Sequence, residues 1–331
     1  MRPFPFLLAC VCFAQAPTVS VIEVYGLRKL TPAQIKESAG VAEGQMLPPS
    51  KSLIEERVHE IEGVADASVE AACCDAKGVT LYIGVLEAGG EAVSIHAEPV
   101  DTVELPEPIL AAYTRFLSEV REAGRTGGGT EDLTQGHSLL SAPAAREAQL
   151  AFIPIANDNL VLLRDVLRNS NNPEHRAIAA YILGYHREKS IITGDLEYAL
   201  HDPDETVRAN AIRALSAIAT LASRGKDKLL KMDANPLIGL LNSPVWTDRN
   251  NAAVALVTLT EGRDASLLRL IRQRAGSALL EMSRWKQPEH ALSAYILLGR
   301  TMNIPEKELQ AAWAKGDRES IISRLPSAGK R

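Results

Sequence analysis

Apolar residues recur at helical spacing through most of the second half of the chain. The clearest case is the run Leu200–Leu215, LHDPDETVRANAIRAL, in which Val207, Ala211 and Leu215 follow one another at intervals of four residues. This spacing is typical of one buried face of a helix. Arg208 and Arg213 fall off that face, so the pattern predicts exposed positions for both.

Three residues mark the start of this helix. Asp202 can cap it, and Pro203 suits the first helical position, where a missing N–H costs nothing. Glu205 follows three residues after the cap, as in a capping box. The sequence therefore predicts that Asp202 is the N-cap.

The same pattern occurs four times. The segments Pro173–Gly184, Ser243–Leu256 and Pro288–Gly299 place an alanine and, four residues later, a leucine in the relation of Ala211 to Leu215. The four alanines, called here the register alanines, are Ala179, Ala211, Ala252 and Ala294. They lie 32, 41 and 42 residues apart, and a leucine-rich candidate helix precedes each. This pattern resembles HEAT repeats.

The resemblance implies an all-α solenoid over residues 143–325, with HEAT-like helical repeats and C-terminal capping helices. A pair of such helices cannot bury its apolar side alone, so the pairs stack and offer a long surface to a partner. The expected architecture is therefore one for binding, and no catalytic motif of comparable quality is present.

Residues 17–88 show a different pattern. VSVIEVYGL alternates apolar and polar residues as a strand does, and LTPAQIKESAGV and SKSLIEERVHEIEGV are typical of capped amphipathic helices. ASVEAACCD and GVTLYIGVLEA return to a strand pattern. The predicted fold class is an α+β module of order β-α-α-β-β, followed by the all-α solenoid.

This order of elements is punctuated by Val24-Tyr25-Gly26, Glu43-Gly44, Gly63-Val64 and Val85-Leu86-Glu87. Together they resemble a POTRA domain. POTRA domains occur in the bacterial envelope and bind polypeptides, often by adding a strand at a sheet edge. The resemblance implies the same for residues 17–88. Membrane attachment is not carried over, because no later stretch approaches the roughly 20 apolar residues of a span.

Residues 89–142 are predicted to be a linker with a helix and a glycine-rich loop. The stretch 91–105 is compatible with an extension of the sheet, and LPEPILAAYTRFLSEVREAG is typical of an amphipathic helix. In the loop, Gly127-Gly128-Gly129-Thr130 lacks the Gly-Lys-Ser/Thr ending of a phosphate-binding loop. Gly136-His137-Ser138 lacks the second glycine of a nucleophile elbow. A hydrolase that uses His137 and Ser138 is the enzymatic alternative.

The first sixteen residues, MRPFPFLLACVCFAQA, have the features of a signal peptide. Arg2 supplies the positive charge, Phe4–Phe13 the apolar core and Ala14-Gln15-Ala16 the cleavage site. We expect a periplasmic or secreted protein, with association to the outer membrane as one option. A lipid anchor is not expected, because only nine residues precede Cys10.

Composition narrows the kinds of ligand and partner that the chain can bind. The 331 residues carry a net charge of −5 without a dense basic stripe, which argues against nucleic-acid binding. Cys73 and Cys74 are adjacent in a predicted strand, where neighbouring side chains point to opposite faces, so an ordinary disulfide between them is unfavourable. No spacing of histidine, cysteine and acidic residues suits a metal ion, and we expect neither metal nor cofactor.

A recognition surface on the solenoid face should follow the turns that lead into the second helices. Seven residues at the third and fourth turns combine tryptophan with charged and polar neighbours, as interface anchors do. They are Trp246, Asp248, Arg249, Asn250, Trp285, Lys286 and His290. The alternative is that each tryptophan fills a gap between repeats and the charges are solvated.

The sequence thus predicts a non-enzymatic envelope adaptor or scaffold that binds protein partners through the solenoid face and the POTRA-like sheet edge. One alternative is a binder of cell-wall or surface polysaccharide, which requires a flat, exposed tryptophan in a groove. Another is an accessory subunit of an envelope enzyme.

Overall fold

The computed structural model describes residues 17–75, 78–126, 129–225 and 232–325. An N-terminal α+β part is followed by a helical part, in agreement with the predicted fold class. The predicted signal peptide lies outside the described residues, and so does Gly127-Gly128 of the glycine-rich loop.

The N-terminal module is a three-stranded mixed sheet with two helices. Its elements are β1 (Val19–Tyr25), α1 (Pro32–Ala39), α2 (Ser52–His59), β2 (Val64–Asp75) and β3 (Gly78–Glu87). The central strand β3 runs parallel to β1 and antiparallel to β2. Thr31 and Gln34 form a capping box at the start of α1, and Gly40 ends it in the left-handed conformation.

The two faces of this sheet pack against different parts of the molecule. Alternate residues of a strand point to opposite faces. Leu81 and Ile83 of β3 share a core with Ile35 of α1 and Ile54 of α2. Tyr82, between them, belongs to the core of the helical part instead. The sheet is therefore sandwiched between its own helices and the repeats.

Residues 89–106, called here the strap, leave the sheet and run along the helical part. The expectation that residues 91–105 extend the sheet is wrong, because the backbone of the strap finds its partners elsewhere. The N–H of His96 donates to the carbonyl of His201 at 2.7 Å, and the N–H of Asp101 donates to the carbonyl of Asn169 at 3.1 Å. Helix α3 (Glu107–Thr126) and a hairpin follow, the latter made of β4 (Glu131–Asp132) and β5 (Leu139–Leu140).

Four helix pairs form the repeats. Helices α4 (Pro143–Leu150) and α5 (Phe152–Asp158) precede them. The pairs are α6 (Leu160–Asn169) with α7 (Pro173–Leu183), α8 (Lys189–Ala199) with α9 (Glu205–Ser223), α10 (Asn235–Leu240) with α11 (Trp246–Leu259), and α12 (Ala265–Met282) with α13 (Pro288–Thr301). The short helices α14 (Glu306–Ala314) and α15 (Glu319–Ile322) follow.

The packing of the helices confirms the alignment of the four repeats on their register alanines. All four register alanines have no exposed surface, and each second helix packs on the second helix of the next repeat. The helix start predicted at Asp202 is wrong by two residues. Asp204 is the N-cap of α9, because its side chain accepts from the backbone of Thr206 and Val207, whereas the Asp202 carboxylate binds Arg176.

Candidate partner-binding site along the solenoid rim

The turn between the two helices of each repeat, with the first turn of the second helix, forms one edge of the helical part, called here the rim. Three buried arginines lie on the rim at equivalent positions, each three residues before a register alanine: Arg176, Arg208 and Arg249. Each guanidinium donates to the carbonyl of the residue six positions earlier, at 2.9, 2.8 and 2.6 Å. These carbonyls belong to Ser170, Asp202 and Ser243.

Each of these arginines also binds a carboxylate of the following repeat. The pairs are Arg176 with Asp202 at 2.9 Å, Arg208 with Asp248 at 2.8 Å, and Arg249 with Glu281 at 3.0 Å. Burial raises the pKa of Asp248, and the guanidinium of Arg208 opposes the shift. The exposed position predicted for Arg208 is therefore wrong, since its charge is compensated by a carboxylate 40 residues away.

The fourth repeat departs from this arrangement. Ala291 stands at the arginine position, and Trp285 stands nine residues before the register alanine, where the other repeats have serine or aspartate. The carbonyl of Trp285 accepts from Arg318 at 2.9 Å. Its indole is only 2% exposed and packs against the N-terminal module.

Two tyrosines of the sheet insert among the aromatic side chains of the rim. The ring centroid of Tyr82 lies 5.0 Å from that of Trp246 and 5.0 Å from that of Trp285, while Tyr25 lies 5.6 Å from Trp285. The Oη atom of Tyr82 is 2.7 Å from Nδ1 of His290. Both tyrosines are fully buried, so the module and the repeats share one core at this point.

The backbone of the sheet approaches the rim closely. The Oη of Tyr25 donates to the carbonyl of Pro244 at 2.7 Å, and the N–H of Gly26 donates to Glu281 at 3.0 Å. A Cβ placed on Gly84 would lie 1.8 Å from the carbonyl oxygen of Pro244. Glycine at position 84 is therefore required for this contact.

The structure brings three of the seven predicted residues, Trp246, Trp285 and His290, together around Tyr82 of the module. Asp248, Arg249 and Trp285 are buried, Trp246, Asn250 and His290 are half-buried, and Lys286 is exposed. The expectation of a free surface is corrected for the three buried residues, because their partners lie in the same chain. A flat, exposed tryptophan is found at neither Trp246 nor Trp285, because both pack against Tyr82.

The repeats present a second surface, which the sequence pattern does not predict. Residues one before and two after each register alanine lie at equivalent places on the second helices. In α7 these are Ile178 and Tyr181, which are buried. Tyr113 and Phe116 of α3 lie against Tyr181, with ring centroids 5.5 and 5.0 Å away. In α9, α11 and α13 they are half-buried or exposed, and we call them the open stripe: Asn210, Arg213, Asn251, Val254, Ser293 and Ile296.

The edge strand β2 lies at one end of the open stripe. Glu70 of β2 accepts from the backbone N–H and the hydroxyl of Thr247, one helical turn before Asn251. Among the described residues no strand pairs with the outer edge of β2. The outward N–H of Val69 donates to Glu55 at 2.8 Å. The open stripe therefore adjoins an unpaired sheet edge.

His137 and Ser138 do not have the geometry that a hydrolase needs. Both are buried, yet neither ring nitrogen of His137 nor the Ser138 hydroxyl has a hydrogen-bond partner within the described part of the chain. Burial lowers the pKa of His137 to about 4, and the charge of Lys189 adds to this shift. Burial likewise lowers the pKa of Lys189 to about 7.

Metal ligation and membrane crossing are two further properties on which the described residues bear. No group of three or more histidine, cysteine, aspartate or glutamate side chains there could hold a metal ion. None of the helices in the described ranges combines the length and apolar character needed to cross a membrane.

Comparison with known proteins identifies the repeats. A family model for HEAT repeats matches residues 160–257, which extend from α6 into α11. The helical part is thus a HEAT-like repeat region, a fold that is typically a non-catalytic scaffold and suggests interaction with other proteins. No curated protein matches the chain.

Proposed function

We propose that this protein is a non-enzymatic adaptor or scaffold of the cell envelope that binds protein partners. The open stripe is the observation that supports this function best. Three consecutive repeats place half-buried or exposed side chains at equivalent positions, although in the second repeat Asn210 donates to the carbonyl of Ala177 and Arg213 pairs with Glu131. Repeated positions of this kind suit an elongated partner.

The chemistry of the open stripe suits a polypeptide. Asn251 carries an amide that can both donate and accept hydrogen bonds, whereas Nδ2 of Asn210 already donates to the carbonyl of Ala177 at 2.9 Å. Val254, which is 47% exposed, and Ile296 supply apolar contact area. A surface of mixed polar and apolar character is typical of interfaces that form between separately folded proteins.

The outer edge of β2 is the second part of the proposed surface. The outward N–H groups of Ala67 and Val69 now donate to the carboxylates of Asp66 and Glu55. A partner strand would take the place of these carboxylates as hydrogen-bond acceptor. The order of strands and helices in the module supports its assignment as POTRA-like, a class that binds polypeptides. The envelope location rests on this resemblance and on the features of the signal peptide.

Substitution on the open stripe tests the proposal. The wild-type chain and the variant Val254→Glu would be crosslinked in an envelope fraction, and the captured proteins compared by mass spectrometry. We expect Val254→Glu to lose the captured partner, because a buried carboxylate without a counter-charge is strongly unfavourable in an interface.

Val161→Glu is the matched control, because Val161 lies on the first helix α6 and is 81% exposed. It should capture the partner as the wild type does. Equal capture by Val254→Glu and the wild type would contradict a role for the open stripe. Ala67→Pro, which removes an outward donor of β2, then shows whether the sheet edge alone carries recognition.

A further inference from the structure

Histidines hold the N-terminal segment against the repeats. Four of the seven histidines of the chain lie at this contact: His96, His175, His201 and His290. His175 and His201 bind the strap where it crosses the rim of the first two repeats, and His96 is the strap residue whose N–H donates to the carbonyl of His201. The protonation state of these side chains therefore bears on how the strap is docked.

His175 must be neutral while the strap is docked. The N–H of Leu105 donates to Nδ1 of His175 at 3.1 Å, and both residues are buried. A backbone N–H can only donate, so Nδ1 carries a lone pair. An imidazolium has N–H groups on both nitrogens and cannot accept a hydrogen bond. Protonation at Nδ1 therefore breaks this contact.

His96 of the strap also favours the neutral form. Its ring centroid lies 4.3 Å from that of Tyr198 and 5.3 Å from that of His201, and its buried Nδ1 has no partner among the residues that the structure describes. Burial lowers the pKa of His96, and His201 adds to the shift. His201 itself differs, because its Nδ1–H donates to the carbonyl of Ser94 at 2.7 Å and a second proton would leave that bond intact.

The charged groups around His96 and His175 do not reverse the preference for the neutral form. Asp202 favours protonation of His96, but its carboxylate is already bound by Arg176, and Arg168 of α6 opposes protonation. Further charged residues on the elements that meet here include Glu98, Asp101 and Glu104 of the strap, Glu174 of α7, Asp195 of α8 and Asp204 at the start of α9. Of these, Glu98 binds Arg176 and Asp195 binds Arg164 and Arg168.

We propose that the strap is a pH-sensitive clasp, docked on the rim at neutral pH and released under mildly acidic conditions. A released histidine takes up a proton near pH 6.5, whereas the docked strap needs an unprotonated acceptor at Nδ1 of His175 for the N–H of Leu105. Docking is therefore strongest above pH 6.5 and weakens as the pH falls. Between pH 7.5 and 5.5, each histidine that stays neutral while docked lowers the docking equilibrium constant about tenfold.

Hydrogen exchange of the full chain tests the clasp. Protection of the Leu105 amide, corrected for the intrinsic exchange rate, would be measured at pH 7.5 and 5.5. We expect it to fall at least tenfold at the lower pH, while the amides in the middle of α9 keep their protection. In His175→Asn an amide oxygen replaces Nδ1 and accepts without binding a proton, so this variant should lose about tenfold less protection than the wild type between pH 7.5 and 5.5, and the remaining response is that of His96.

His59→Asn is the matched control, because His59 is exposed on α2 and the variant should respond to pH as the wild type does. Equal protection of Leu105 at both pH values in the wild type would overturn the clasp. So would a response of His175→Asn as large as that of the wild type. If thermal unfolding shows that His175→Asn is not folded at pH 7.5, His96→Phe provides the test. His96→Phe should reduce the pH-dependent loss of Leu105 protection about tenfold. An unchanged loss would reject the proposal.

Discussion

A buried arginine at the same place in three repeats couples each repeat to the next. Each guanidinium binds a carbonyl of its own repeat and a carboxylate of the following one. Ion pairs of this kind contribute little net stability compared with apolar residues, but breaking one leaves an uncompensated buried charge. At the residue scale the rim therefore depends on both partners being present.

Arg208→Met should destabilise the protein by about 3–5 kcal/mol, because Asp248 would remain buried without its counter-charge. Urea unfolding of the wild type and the variant measures the difference. The double variant Arg208→Met/Asp248→Leu should recover much of the loss. A double variant as unstable as the single one would show that packing of the arginine stem, and not charge compensation, is its main contribution.

The pair of Arg208 and Asp248 shows why sequence patterns miss part of the site. Helical spacing correctly placed Ala211 on the buried face, because neighbours along a helix decide that face. It placed Arg208 in solvent, because periodicity assigns charged residues to the exposed side. Only tertiary structure shows that a carboxylate 40 residues away lies at 2.8 Å.

At the scale of elements, the register alanines set how closely the second helices pack. Ala211 has no exposed surface, and helix α9 packs between α7 and α11. A larger side chain here forces neighbours out of their preferred rotamers, which typically costs about 1–3 kcal/mol.

Ala211→Leu should therefore lower the melting temperature, as measured by circular dichroism. Ala209→Leu is the control on the same helix, because Ala209 is half-buried and lies next to the open stripe. It should leave the melting temperature nearly unchanged. An unaltered melting temperature in Ala211→Leu would indicate that the contact between the second helices is looser than the structure shows.

Most elements could be predicted from the sequence, since strands, helices and their caps are local. The capped helix α1 and the four helix pairs follow the predicted pattern. The position of the strap could not be predicted, because an extended segment without strong periodicity pairs with whichever backbone groups the tertiary structure places beside it. Its partners, such as Asn169 and His201, are 68 to 105 residues away.

At the scale of the whole molecule, the module and the repeats are joined by a shared aromatic core. The sequence pattern points to the tryptophans of this core, but it places their partner Tyr82 only in a strand and Tyr25 only in a strand and in the POTRA-like motif Val24-Tyr25-Gly26. Their contacts bridge more than 150 residues of chain, so no local pattern connects them. The anchors predicted for a foreign partner are instead largely used to fix the chain's own N-terminal module.

Because the core is shared, the module and the repeats should unfold together. Gly84→Ala should separate them, since its Cβ would lie 1.8 Å from a backbone oxygen of Pro244 that cannot move aside cheaply. Undocking exposes Trp285 to water, so its fluorescence should shift to longer wavelength, and thermal unfolding should split into two transitions. Gly194→Ala is the control, because its Cβ meets nothing within 4 Å in α8 and the change should stabilise slightly. A single transition in Gly84→Ala, at the wild-type temperature, would mean that the sheet tolerates displacement from the rim and that the module is not held rigidly against the repeats.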